Sequence, residues 1–153
     1  MDQPPVTADA NPHHTDPQTP YDILGQQGIR ALAEAFYDVM DELPQAAEVR
    51  AMHADNMDDI KRKLAAYLTG WMGGPPVYLA AYGTVCLTDA HAPYAIDTKA
   101  RDQWLLCMRE ALLRINASEA LMQMLDEPLQ RIAAAVQNVP EGHPPLDGLI
   151  ARG

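Results

Sequence analysis

Four stretches of this chain carry apolar residues three and four positions apart, and that spacing limits what it can fold into more than anything else in the sequence. Ile29, Leu32, Ala33, Phe36, Tyr37 and Met40 make the first stretch, which Pro44 stops. Ile60, Leu64, Tyr67, Leu68 and Trp71 make the second, which Gly73-Gly74-Pro75-Pro76 ends abruptly. Trp104, Leu105, Met108, Leu112 and Ile115 make the third; Leu121, Leu125, Leu129, Ile132, Ala133 and Val136 make the fourth. Side chains return to one helical face about every 3.6 residues, so each stretch predicts an amphipathic helix. Asp58 and Asp59 suit the start of the second helix, where carboxylates meet the positive end of the dipole. Pro128 is expected to kink or restart the fourth, because it removes an internal hydrogen bond. A short helical piece, Val77 to Tyr82, and an unpatterned loop to Asp89 join the second and third. No stretch alternates like a strand, and the expected class is all-α.

Composition sets the boundaries. The chain has 153 residues, of which 48% are apolar, enough for one domain with a real core. A single Phe and two Trp make that core mostly aliphatic. Residues 1–20 hold Pro4, Pro5, Pro12, Pro17 and Pro20 among polar neighbours, and residues 140–153 are again rich in proline and glycine. Both read as tails around a domain at 21–139, since they bury too little apolar surface to offset ordering entropy. A net charge of −10 argues against nucleic acid or anionic membrane as partner, because both call for a cationic footprint. Cys86 and Cys107 form no paired motif, so thiol redox and structural zinc are not expected and a reducing compartment fits. No signal-peptide pattern or spanning run is present, and the expected location is the cytoplasm.

The segment Ala90-His91-Ala92-Pro93-Tyr94-Ala95-Ile96 precedes Arg101-Asp102-Gln103-Trp104-Leu105-Leu106-Cys107-Met108. Pro93 cuts short any helix at His91, leaving the imidazole at an element's end, where it can place a ring nitrogen on a buried partner such as a haem iron. Taken alone, His91 reads more readily as a satisfied core or surface group. Trp104 alone is a core residue, Tyr37 a tyrosine whose hydroxyl reaches the surface, and His53 a solvated side chain. Only their combination carries information.

The chain resembles the group II truncated haemoglobins, the two-over-two globins with a tryptophan on the G helix. The likeness rests on Phe36-Tyr37, Met52-His53-Ala54-Asp55, Gly70-Trp71-Met72-Gly73-Gly74-Pro75-Pro76-Val77-Tyr78, Tyr82-Gly83 and the two segments around His91 and Trp104. It implies a haem-enclosing two-over-two helical sandwich, with His91 as the iron ligand. It also implies a distal side formed by Tyr37, Trp104, His53, Phe36, Ile60 and Leu64. Around the cofactor it places Lys63, Leu64, Tyr67, Trp71, Tyr78, Tyr94, Ile96 and Met108. Haem b held non-covalently is expected, since no Cys-x-x-Cys-His motif is present. Ile60 cannot donate a hydrogen bond, so Tyr37, Trp104 and His53 are the expected donors. The basic residue usual before the proximal histidine is Ala90 here, with Asp89 beside it. Lys63 becomes the leading partner for a haem propionate.

Donors facing dioxygen in an apolar pocket imply slow release, which suits scavenging, sensing or redox conversion of dioxygen, nitric oxide, peroxide or sulfide better than oxygen delivery. Nitric-oxide dioxygenase or peroxidase-like turnover is compatible with this and would draw on an electron donor; a homodimer is also compatible. A competing reading is a non-catalytic acidic helical module that binds a partner protein, every pocket residue being core. A third, metal binding through His13, His14 and Asp16, has too few fixed donors.

Overall fold

The structure is a computed structural model and describes residues 18–84, 86 and 91–139. The expected tails lie outside the described residues apart from Gln18, Thr19 and Pro20, and so do Asp89, Ala90 and the tail donors His13, His14 and Asp16.

Helix α1 spans Pro20–Glu42 and opens with a capping box: the Asp22 N–H donates to Thr19 Oγ1 at 3.0 Å, and the Thr19 N–H donates to the Asp22 carboxylate at 3.0 Å. The cap thus stands at Thr19, inside the stretch expected as a tail. Gly25, at φ 69°, breaks α1 into two helical pieces. A 3-10 turn, Pro44–Ala46, leads into the four-residue helix α2, Ala47–Arg50. Helix α3 spans Asp58–Trp71, and the short α4 spans Val77–Tyr82. Between them Gly74 lies so close to Tyr21 that a Cβ would stand 2.5 Å from its ring, while the Tyr21 N–H donates to the Met72 carbonyl at 3.0 Å. The glycine-proline stop therefore also seats the start of α1.

Helix α5, Thr98–Arg114, is capped by Asp97, and helix α6, Glu119–Val136, by Ser118. Of the kink or restart expected at Pro128, the restart does not occur, and α6 runs through it as one helix. Leu121, Leu125, Leu129 and Ala133 are buried on both sides of the proline, and that packing outweighs the lost bond.

Among the described residues there is no strand, and none of the helices is long and apolar enough to cross a membrane. α1 packs against α3 and α5, and α5 against α6. Ile29, Leu32, Phe36 and Met40 of α1 meet Leu68, Cys107, Met108, Leu121 and Leu125 in the core. The periodicities read from the sequence thus become helices at the expected places, with their stripes turned inward.

Candidate functional site

Between α3, α5, α6 and the segment at His91 lies a cavity of about 350 Å³. Ile60, Leu64, Tyr67 and Leu68 give it one face of α3, at the spacing that puts them on a single stripe. All of these except Leu68 are only half-buried, so this stripe lacks protein to cover it fully. Tyr37 from α1, Val49 from α2, and Met52 and His53 from the α2–α3 connection extend the wall. Tyr78, His91, Tyr94, Ile96, Arg101 and Trp104 line it as well, and Ile132, Ala133 and Val136 of α6 close it.

One side carries the polar groups named from the sequence. Tyr37 is only 5% exposed, and its hydroxyl has no hydrogen-bond partner among the described residues. Burial pushes its pKa up, which keeps the phenol a neutral donor. Phe36 is packed edge-on to Tyr37 at 4.8 Å and to Trp104 at 5.4 Å, and Tyr37 meets the His53 ring at 5.4 Å. His53 Nδ1 lies 2.8 Å from the Val49 carbonyl. A carbonyl can only accept, so Nδ1 carries the proton and a neutral ring keeps Nε2 as an acceptor. Burial lowers the His53 pKa, the bond to Val49 opposes that, and the charges of Arg50 and His91 reinforce it. His53 in this form accepts toward the cavity instead of joining the donors expected there. Arg50 steadies the connection, donating to the carbonyls of Ala54 at 3.1 Å and Asp55 at 3.2 Å.

The other side is organised differently. His91 has helical backbone and is followed by the turn at Ala92 and Pro93, as the proline predicts. The segment after it is clamped by Asn138: its Nδ2 donates to the Tyr94 carbonyl at 2.7 Å and the His91 carbonyl at 3.3 Å, while its Oδ1 accepts from the Ile96 N–H at 2.8 Å. The Asn138 N–H returns a bond to the Ile96 carbonyl at 2.9 Å. Sequence reading missed this residue, an asparagine past the end of a helical stripe with nothing local to mark it.

Two cations reach the cavity. Lys63 sits with Nζ 5.4 Å over the Tyr82 ring and 4.0 Å from Asp59. Arg101, quoted in the motif without a role, donates to Gln137 at 3.1 Å and pairs with Asp102 at 3.2 Å. Three expected site residues do not line the cavity. Phe36 is fully buried behind Tyr37, Met108 lies in the core one helical turn beyond Trp104, and Trp71 packs half-buried against the core at the end of α3.

Comparison with known proteins gives the family and the fold. The family described as bacterial-like globin matches residues 19–138. The group 2 truncated hemoglobin YjbI of Bacillus subtilis is 26% identical over 122 residues, covering 80% of this chain and 90% of its own. Among solved structures, the group II 2-on-2 hemoglobin of Agrobacterium tumefaciens has a TM-score of 0.76 and 37% identity, covering 83% of this chain and 98% of its own. A truncated oxygen-avid haemoglobin from Bacillus subtilis has a TM-score of 0.72 and 26% identity, covering 79% of this chain and 100% of its own. The all-helical architecture is their two-over-two sandwich.

Proposed function

This chain belongs to the bacterial-like globin family, and from that premise we propose that it holds haem b non-covalently on His91 and takes up dioxygen or a similar small ligand, releasing it slowly. The observation that carries this reading is the buried Tyr37 hydroxyl, left without a partner among the described residues on the wall of a largely apolar cavity that His91 and Trp104 also line. A buried donor is ordinarily satisfied, so one left over points to a ligand that supplies the acceptor. The half-buried stripe of α3 supports a large apolar group in the same space. Among the described residues no group of three or more His, Cys, Asp or Glu could hold a bare metal ion. These observations favour the haem protein over the acidic interaction module, which gives no reason for a partnerless tyrosine.

Bound haem supplies an iron site with one position open to a small ligand. The protein's own groups decide what that position favours. Lys63 and Arg101 offer charge to the carboxylates, Leu64, Tyr67, Ile96 and Val136 supply apolar contact, and Ile60 keeps its part of the wall free of donors. Tyr37 and Trp104 donate to a ligand that carries negative charge, in surroundings where water does not compete. Donation of this kind slows escape and fits scavenging, sensing or redox conversion of dioxygen, nitric oxide, peroxide or sulfide. A redox conversion would draw on an external electron donor. The oxygen avidity of the Bacillus subtilis relative supports the same direction.

The test is spectroscopic. Protein purified with haem is expected to show a Soret band, and His91→Gly is expected to lose it or to regain it only with added imidazole. A colourless wild type, or a variant with an unchanged spectrum, would overturn the assignment.

A further inference from the structure

Val49 is the third residue of a helix only four residues long, in the first turn, and its N-cap, Ala46, supplies no side-chain acceptor. Gln103 of α5 supplies it from 54 positions away: the Val49 N–H donates to Gln103 Oε1 at 3.2 Å. The other end of the same amide, Nε2, donates to the Glu48 carboxylate at 3.2 Å. Both partners demand the same orientation, since a flipped amide would set N–H against N–H and oxygen against carboxylate. Gln103 is buried, and a buried amide with both ends engaged has little freedom.

The Val49 carbonyl receives the Met52 N–H at 3.1 Å and the His53 Nδ1 proton at 2.8 Å. A continuous path therefore runs from Gln103 through Val49 to the His53 ring. It closes on itself, because His53 meets Tyr37, Tyr37 meets Phe36, Phe36 meets Trp104, and Trp104 is the next residue after Gln103.

We infer that Gln103 is a positioning residue which, by holding Val49, fixes His53 as the Nδ1–H tautomer and so makes it an acceptor, not a donor, toward the cavity. Released from Val49, the imidazole can carry its proton on Nε2, the form common in free histidine side chains, and the corner beside Tyr37 gains a donor. Gln103 thereby sets whether a ligand meets two donors, Tyr37 and Trp104, or three. This consequence for ligand choice rests on the function proposed above; the tautomer itself does not.

The experiment is nitrogen NMR on protein with labelled histidine, read both with and without haem. Wild type is expected to show His53 protonated on Nδ1 alone. Gln103→Met keeps the length and removes both bonds, and in it the shifts of the two ring nitrogens are expected to exchange as Nε2–H becomes the major form. The paired swap Glu48→Gln with Gln103→Glu keeps an acceptor for Val49 and a donor for the new carboxylate, and is expected to restore the wild-type pattern. An unchanged tautomer in Gln103→Met, or its loss in the swap, overturns the inference. Should Gln103→Met fail to fold, amide exchange in the wild type decides: Val49 is expected to exchange at least about tenfold more slowly than an unbonded first-turn amide, and free exchange there also overturns it. Protein that takes up no haem sinks the functional proposal and leaves this test standing, whereas a haem-loaded Gln103→Met with unchanged His53 sinks the positioning role alone.

Discussion

Tyr37 and His91 stand on walls of one cavity that are built by different means. The Tyr37 wall comes from α1 and α5, whose positions are fixed many times over by buried side chains such as Phe36, Ile29 and Cys107. The His91 wall is a turn and a non-helical stretch outside any long helix, and the Asn138 side chain gathers it by bonding the Tyr94 and His91 carbonyls and the Ile96 N–H. Packing spreads the geometry of the first over many residues, while the second concentrates it in a few hydrogen bonds. Substitutions on the Tyr37 wall should therefore change ligand chemistry and spare the fold, and those that loosen the turn after His91, His91 itself apart, should do the reverse.

The strongest way to break that contrast is to remove the donors. Tyr37→Phe and Trp104→Phe each keep most of the ring, so cavity effects stay small. If each bond to a charged ligand contributes about 1.5–3 kcal/mol, dioxygen release measured by stopped flow is expected to accelerate roughly 10- to 150-fold per substitution. The double variant should fall short of the product if both groups share one ligand atom. Unchanged release in all three variants would leave Tyr37 and Trp104 as packing residues.

Asn138→Ala should show the opposite pattern. It removes the bonds to Tyr94, His91 and Ile96, and since the side chain is exposed the expected loss is about 1–3 kcal/mol of stability in a denaturant titration, with faster haem loss. Ligand release from the loaded fraction should hardly change. If release accelerates as much as stability falls, the two walls are not separable.

A pH series sharpens the contrast further. The His53 pKa is lowered below its ordinary 6.5 in the folded protein, so the unfolded chain takes up this proton first. Stability present above that ordinary value is expected to fall as pH drops from it toward the lowered folded value. His53→Phe should flatten this part of the profile in urea unfolding between about pH 7.5 and 5.5. A profile unaffected by the substitution would mean that His53 titrates freely.

Lys63→Ala is the mildest change. Its pairs are exposed, and an exposed pair contributes about 0–1 kcal/mol, so haem transfer to an apo-globin acceptor should quicken only slightly. A large acceleration would show that the cavity's mouth depends on this one cation more than on Arg101.

The four long helices were legible because their stripes repeat locally, and Tyr37, Trp104, His53 and His91 because they stand in recognisable segments. Phe36 was placed with the distal residues, yet it turns into the core, since neighbours on a helix point about 100° apart. Arg101 and Gln103 stood in such a segment without a role, and Asn138 stood in none. Each acts through a partner far along the chain, on Gln137, Val49 and the turn at Tyr94, and periodicity records only which face a residue occupies, not which distant carbonyl it meets. Pro128 failed as a punctuation mark for a related reason: the packing that carries α6 through it comes from other helices.

The Asn138 clamp also orders events in time. A polypeptide grows from its amino terminus, so Tyr37, His53 and Trp104 are all joined to the chain before the residue that steadies the turn after His91. A chain ending short of position 138 holds every residue of the Tyr37 wall but lacks the clamp on the turn after His91. On the function proposed above, lasting uptake of haem would be tied to the last residues of the domain to be made.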